Sequence, residues 1–356
     1  MKFSIFYEMQ ISSPTPESET RCFHECAEQV ALADELGYDR VWEVEHHGLY
    51  EYSHSSAPEI FLAYCAARTK RIRLGHGVTL TPYPYNHPIR IAERVATLDV
   101  LSNGRVDWGS GKSSSLVEQK AFQCDIPRLH EQWLEALEMI PRMWQDETFS
   151  WEGRFFKVPP IRVIPKPVQR PHPPIYAACA KPGSAEAVGG LGIGALNFAV
   201  GTDRDLADKV RGYKRAVAAA EPAGRRKNDW FACTPATLVL DDDREACRHG
   251  FRGARFFLES LALYYTSGTR PVGPIAVPRD DFPDEDLREA MAFRNAPGAQ
   301  ASHVIGDPVA ARESVARFQE AGVDELILVM QMGTVPHELV MRSLRTFAER
   351  VMPHFR

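Results

Sequence analysis

Three ionisable side chains in a row, Glu45-His46-His47, directly follow a stretch of strand type, Asp39 to Val44 (DRVWEV). Side chains alternate along an extended chain, so at least one of the two histidines faces the cleft where the strand runs out. An imidazole in that position suits proton transfer or hydrogen bonding to a ligand. Metal ligation has little support, because there is no His-Glu-x-x-His spacing and no matching third ligand. The plain competitor is a structural histidine satisfied by backbone groups. His87, ahead of Pro88, and His130 fit packing or capping better than catalysis.

A second chemical stretch is Trp108-Gly109-Ser110-Gly111-Lys112-Ser113, which places two glycines, two serines and a cation just past another strand. α/β proteins bind phosphorylated ligands at such strand ends. Gly111-Lys112-Ser113 looks like the tail of a P-loop, but the motif needs a glycine where Val106 stands. Gly190-Leu191-Gly192-Ile193-Gly194 precedes a strand, whereas a dinucleotide fingerprint follows one, so these glycines read as turns. What remains is simpler. Backbone N–H groups, Lys112 and a helix start at Gly183-Ser184 are suited to one phosphate monoester, against a competing reading as tight turns. No Gly-x-Ser-x-Gly elbow supports a serine acyl-transfer enzyme.

The elements that must position these residues alternate regularly. Strands are expected at Phe3 to Tyr7, Asp39 to Val44, Ile72 to Leu80, Arg105 to Ser110, Ile175 to Cys179, Ile193 to Ala199, Phe231 to Leu240 and Glu325 to Met330. Helices fall between them: Thr15 to Leu36 with a Gly37 stop, Pro58 to Thr69, Pro88 to Leu101, Pro127 to Asp146, one capped by Ser184, one capped by Asp203, Asp241 to Tyr265, Pro308 to Ala321 and Pro336 to Val351. About eight strand-helix units in one uninterrupted chain are the arithmetic of a (β/α)8 TIM barrel, with an open doubly wound sheet as rival. Two stretches break the rhythm and read as insertions over the strand ends. Residues 148–174 are dense in proline and suggest a hairpin, and residues 266–301 hold one helix, Asp284 to Phe293.

The 356 residues carry 44% hydrophobic and 25% charged side chains and a net charge of -5, with no long basic run, which argues against a nucleic-acid partner. No apolar stretch approaches the roughly 20 residues of a membrane span and no secretory core is present, so a cytoplasmic protein is expected. Seven widely spaced cysteines without a Cys-x-x-Cys pair read as free thiols, Cys22 and Cys26 lying one helical turn apart.

With these residues assembled, the chain resembles the bacterial luciferase-like family of flavin-dependent monooxygenases over nearly its whole length. The carrying segments are Gly37 to His47, His87-Pro88 through Leu98-Asp99, Leu101 to Arg105, Gly109-Ser110-Gly111, Glu135-Ala136-Leu137, Met143-Trp144, Gly153 to Phe156, Pro165 to Gln169, Pro171 to Pro174 and Ile305 to Pro308. The resemblance implies a (β/α)8 barrel, often dimeric, that binds reduced FMN (FMNH2) at its strand ends. A separate flavin reductase supplies the FMNH2, O2 adds at flavin C4a, and the peroxide oxygenates a mostly apolar small molecule. It implies His46 as the catalytic residue and Glu45 bordering the flavin. Lys112 and Ser184, beside Gly183, are implied at the phosphate, Arg128 on the cofactor side, and Gly77-Val78 as a strained peptide under the ring. Ser110 and Asn197 complete the implied cofactor set. Gly111 and Ala180-Lys181 depart from the luciferases themselves, so light emission is not implied. An F420-dependent, hydride-transferring enzyme of the same fold is the alternative.

Overall fold

The computed structural model describes residues 1–199, 201–266, 282–294 and 302–356. In chain order the elements are β1 (Lys2–Tyr7), α1 (Pro16–Leu36), β2 (Arg40–Glu43), α2 (Pro58–Arg68), β3 (Arg73–Leu80), α3 (Pro88–Leu101), β4 (Val106–Gly111), α4 (Leu116–Ala121), α5 (Leu129–Gln145), β5 (Phe149–Glu152) and β6 (Lys157–Ile161). They continue with β7 (Ile175–Cys179), α6 (Ser184–Gly190), β8 (Gly194–Phe198), α7 (Asp203–Ala219), β9 (Phe231–Thr234), β10 (Ala236–Val239), α8 (Asp243–Thr266), α9 (Asp284–Arg294), β11 (His303–Gly306), α10 (Pro308–Glu320), β12 (Glu325–Leu328) and α11 (His337–Arg350).

Eight parallel strands close in the order β1-β12-β9-β8-β7-β4-β3-β2, with β1 paired to β2 through Ser4–Tyr7 and Arg40–Glu43. Closure excludes the open sheet. The barrel strands are apolar on both faces, as parallel strands between an inner and an outer layer must be. Phe6, Trp42, Tyr176, Leu196, Ala232 and Ile327 fill the interior, while a larger cluster runs between strands and helices. Trp42 fits because Gly75 faces it: a Cβ there would lie 2.3 Å from the indole. The amino-terminal end is plugged by buried charge. Arg40 pairs with Glu325 at 2.8 Å and with Asp107 at 3.0 Å, and the Trp42 indole donates to Glu325 at 2.9 Å.

Local chemistry sets the helix ends. Thr15 and Ser18 form a capping box at α1, and Gly37 stops that helix at φ 83°, a left-handed conformation that favours glycine. The structure moves several expected boundaries. α7 is capped by Thr202 in a capping box with Asp205, so Asp203 is its first residue. Gly183 occupies the cap position of α6, and Ser184 begins the helix without capping it. The expected strand Phe231 to Leu240 divides at Pro235, which has no N–H to continue the barrel ladder. β10 keeps one bridge to the wall, Ala236 to Val329, and pairs along its length with β11. The turn Ile126–Arg128 is a 3-10 helix ahead of α5. β5 and β6 form an antiparallel pair within residues 148–174, and α9 occupies the helix expected in the second insertion. Residues 267–281 and 295–301 of that insertion lie outside the described residues. All seven cysteines are free. No described helix is long and apolar enough to cross a membrane.

Candidate active site

A cavity of about 630 Å³ opens at the carboxyl ends of the barrel strands. Glu45, His46, Gly77, Val78, Ser110, Lys112, Gly183, Ser184 and Asn197 all line it. Arg128 does not: the 3-10 turn leaves it 54% exposed on the surface, 3.5 Å from Asp125.

One end of the cavity is built around His46. Its Nδ1 lies 2.9 Å from Glu118 Oε1, and the same oxygen accepts the His47 backbone N–H at 2.8 Å. Glu8 Oε2 is 3.8 Å from His46 Nε2, and the Tyr265 hydroxyl is 3.3 Å from that nitrogen. Burial alone disfavours a charged imidazole, but Glu118 and Glu8 outweigh it and raise the His46 pKa to about 9. Burial works against the Glu118 carboxylate too. The His46 charge and the hydrogen bonds from His46 and His47 prevail and lower its pKa. The pair is therefore an imidazolium and a carboxylate at neutral pH, with Nδ1–H committed to Glu118 and Nε2–H within reach of the Tyr265 hydroxyl, which also lines the cavity. Glu8 moves the other way, raised by burial.

Glu45 has a different task. Its Oε2 accepts the Leu80 N–H and its Oε1 accepts from Asn86 Nδ2, each at 2.8 Å, which ties β2 to the end of β3 and to the loop beyond. Within β3, Gly77-Val78 is a cis peptide. Ser110 accepts from the Trp133 indole at 3.1 Å and Asn197 Nδ2 donates to the Phe198 carbonyl at 2.6 Å, so both support the wall.

The opposite end is cationic. Lys112 Nζ reaches His130 Nδ1 at 3.3 Å. Its pKa is lowered by burial and then by the neighbouring charge of Lys181. Among the described residues no carboxylate pairs with Lys112 or Lys181, although both line the cavity with Ser184. Two adjacent ammonium groups without counter-charge suit an anion. Between the ends the wall is apolar, formed by Phe6, Val44, Val78, Leu80, Leu196 and Ile327. That arrangement fits a flat molecule bearing one phosphate, and no cluster among the described residues is suited to a metal ion.

Three site residues escaped the sequence reading. Glu8 follows β1 as Glu45 follows β2, so the strand-end argument would have found it. Glu118 sits on α4, six residues long and too short to show helical periodicity. Tyr265 is the penultimate residue of α8, beside another tyrosine, with no pattern to single it out.

Residues 1–325 match the family described as luciferase-like monooxygenase. The chain is 24% identical, over all of itself and 96% of the relative, to the oxygenase component of the flavin-dependent trigonelline monooxygenase of Acinetobacter baylyi. It is 30% identical, over 66% of itself and 68% of the relative, to the F420-dependent hydroxymycolic acid dehydrogenase of Mycobacterium tuberculosis. In structure it is similar to monooxygenase RslO1 from Streptomyces bottropensis, with a TM-score of 0.83 and 29% identity across the full length of both chains. The closed barrel, the cavity at its carboxyl face and the match over most of the chain converge: this protein belongs to the luciferase-like monooxygenase family.

Proposed function

We propose that the chain is the oxygenase of a two-component FMN-dependent monooxygenase, acting on a mostly apolar small molecule with reduced FMN from a separate reductase. The observation that carries this reading is that Lys112 and His46 open onto one cavity, a cationic end and an imidazolium end separated by an apolar span. Lys112, Lys181 and Ser184 would hold the phosphate, and Val78 and Leu196 would flank the ring. Bound reduced FMN supplies the activation of O2. His46 holds a proton at Nε2, Glu118 fixes the ring through Nδ1, and the apolar wall excludes water.

The test is turnover under 18O2 with FMN, a flavin reductase and a panel of apolar compounds. A product carrying one labelled oxygen is expected, lost by about 10²-fold or more in His46→Asn. The relative named as F420-dependent favours a second reading, hydride transfer with F420. Tight F420 binding, with no label incorporated from any compound, would replace the first reading with that one. The family resemblance also suggests a homodimer, supported by apolar side chains exposed on neighbouring helices: Ile60 and Tyr64 of α2, 70% and 45% exposed, and Phe23 of α1.

A further inference from the structure

A buried carboxyl oxygen left without a hydrogen bond is costly until another molecule meets it. Among the described residues lining the cavity, Glu8 has such an atom: its Oε2 has no hydrogen-bond partner although the residue is only 1% exposed. The side chain is held in place. Glu8 Oε1 accepts from the Tyr52 hydroxyl at 2.8 Å, and Ser53 Oγ donates to the Glu8 carbonyl at 2.8 Å. The 3.8 Å between Oε2 and His46 Nε2 is too long for a hydrogen bond but short enough for a single oxygen to bridge the two, sharing Nε2 with the Tyr265 hydroxyl at 3.3 Å. Phe6, Val44 and Ile327 make the neighbouring wall apolar.

We propose that Glu8 and His46 together hold the hydroxyl group of an otherwise apolar substrate, its oxygen accepting from His46 Nε2–H and its O–H donating to Glu8 Oε2. Among the common neutral oxygen groups of an organic molecule, a hydroxyl does both through one atom. An ether or carbonyl oxygen only accepts, and an ammonium would meet the imidazolium charge. The substrate class is therefore a hydrophobic alcohol or phenol. This deepens the oxygenase reading by naming its substrate, and it rests on that reading for the chemistry that follows binding.

Calorimetric titration tests it, on the purified protein with and without added FMN, using 4-methylcyclohexanol, 4-methylcyclohexanone and 1-methoxy-4-methylcyclohexane. The alcohol is expected to bind about 10-fold or more tightly than the ketone and the ether. In Glu8→Gln the amide oxygen stays with Tyr52 and its NH2 takes the Oε2 position. That group only donates, so the preference should vanish. A crystal structure with the alcohol should place its oxygen about 3 Å from both atoms, which decides the matter even if the variant fails to fold. Equal binding of ketone or ether, a preference that survives Glu8→Gln, or no binding of any of the three overturns the proposal. FMN titration separates the two readings. Alcohol preference without FMN binding removes the flavin and keeps Glu8, and FMN binding without the preference does the reverse.

Discussion

At the scale of residues the site depends on a proton held where burial alone would expel it. His46 is charged because Glu118 and Glu8 surround it, and its pKa near 9 lies above the ordinary value of 6.5. A group raised on folding stabilises the native state fully below its unfolded pKa and loses that contribution as pH rises through the folded one. Stability should therefore fall between about pH 6.5 and pH 9, by about 1.4 kcal/mol per pH unit at most. Glu118, lowered on folding, adds a separate loss on the acid side as pH drops through its folded pKa. Urea denaturation across pH 6 to 10 checks the sign. The wild-type protein should lose stability toward pH 9 and Glu118→Gln should show a flatter slope. Equal slopes would mean that the ion pair is not formed.

At the scale of elements the site is assembled from strand ends and two short connections. Glu45 ties the end of β3 to its loop through Leu80 and Asn86. Glu45→Ala leaves a buried N–H unmet and should cost about 1–3 kcal/mol, measured as a lower urea midpoint, with faster amide exchange at Leu80. α4 is held by Ser115 Oγ donating to the Tyr264 carbonyl at 3.3 Å, which brings Glu118 and Tyr265 to opposite sides of His46. The sequence carried the strand ends plainly, because alternation and the β-branched and aromatic runs identify a strand and its last residues. Ile175–Cys179 matches its expectation residue for residue. It did not carry α4, since six residues span less than two turns; the division at Pro235 was marked by the proline itself, and the apolar runs on both sides of it hid the mark. The caps misread at Asp203 and Ser184 share one cause. Thr202, Asp203 and Asp205 are all residues of capping type, and which one caps is settled by backbone geometry that the sequence does not display. Thr202→Ala should cost about 1 kcal/mol in the same denaturation assay, whereas Asp203→Ala should cost less.

At the scale of the molecule, barrel closure turns separate motifs into one site. Glu45-His46 after β2 and Lys112 after β4 lie 66 residues apart at the least, and they meet because β2, β3 and β4 are consecutive staves with their carboxyl ends on one face. The strand count made a barrel legible in the sequence, but closure was not, since periodicity is the same in an open sheet. The outer face makes its own prediction. If α2 is the homodimer contact, Ile60→Glu should convert a dimer to a monomer by light scattering with the thermal midpoint of the barrel otherwise retained. A wild-type monomer would remove that assembly and leave the site intact.

The central claim is that one cavity grips a phosphorylated flavin by its cationic end. The most direct measurement compares reduced FMN with reduced riboflavin, identical but for the phosphate, in the wild-type protein and in a Lys112→Ala/Lys181→Ala double variant. FMN should bind about 10-fold or more tightly than riboflavin to the wild type, and the double variant should bind both alike. Equal affinity for the two flavins in the wild-type protein, or a phosphate preference that survives loss of both lysines, would contradict it.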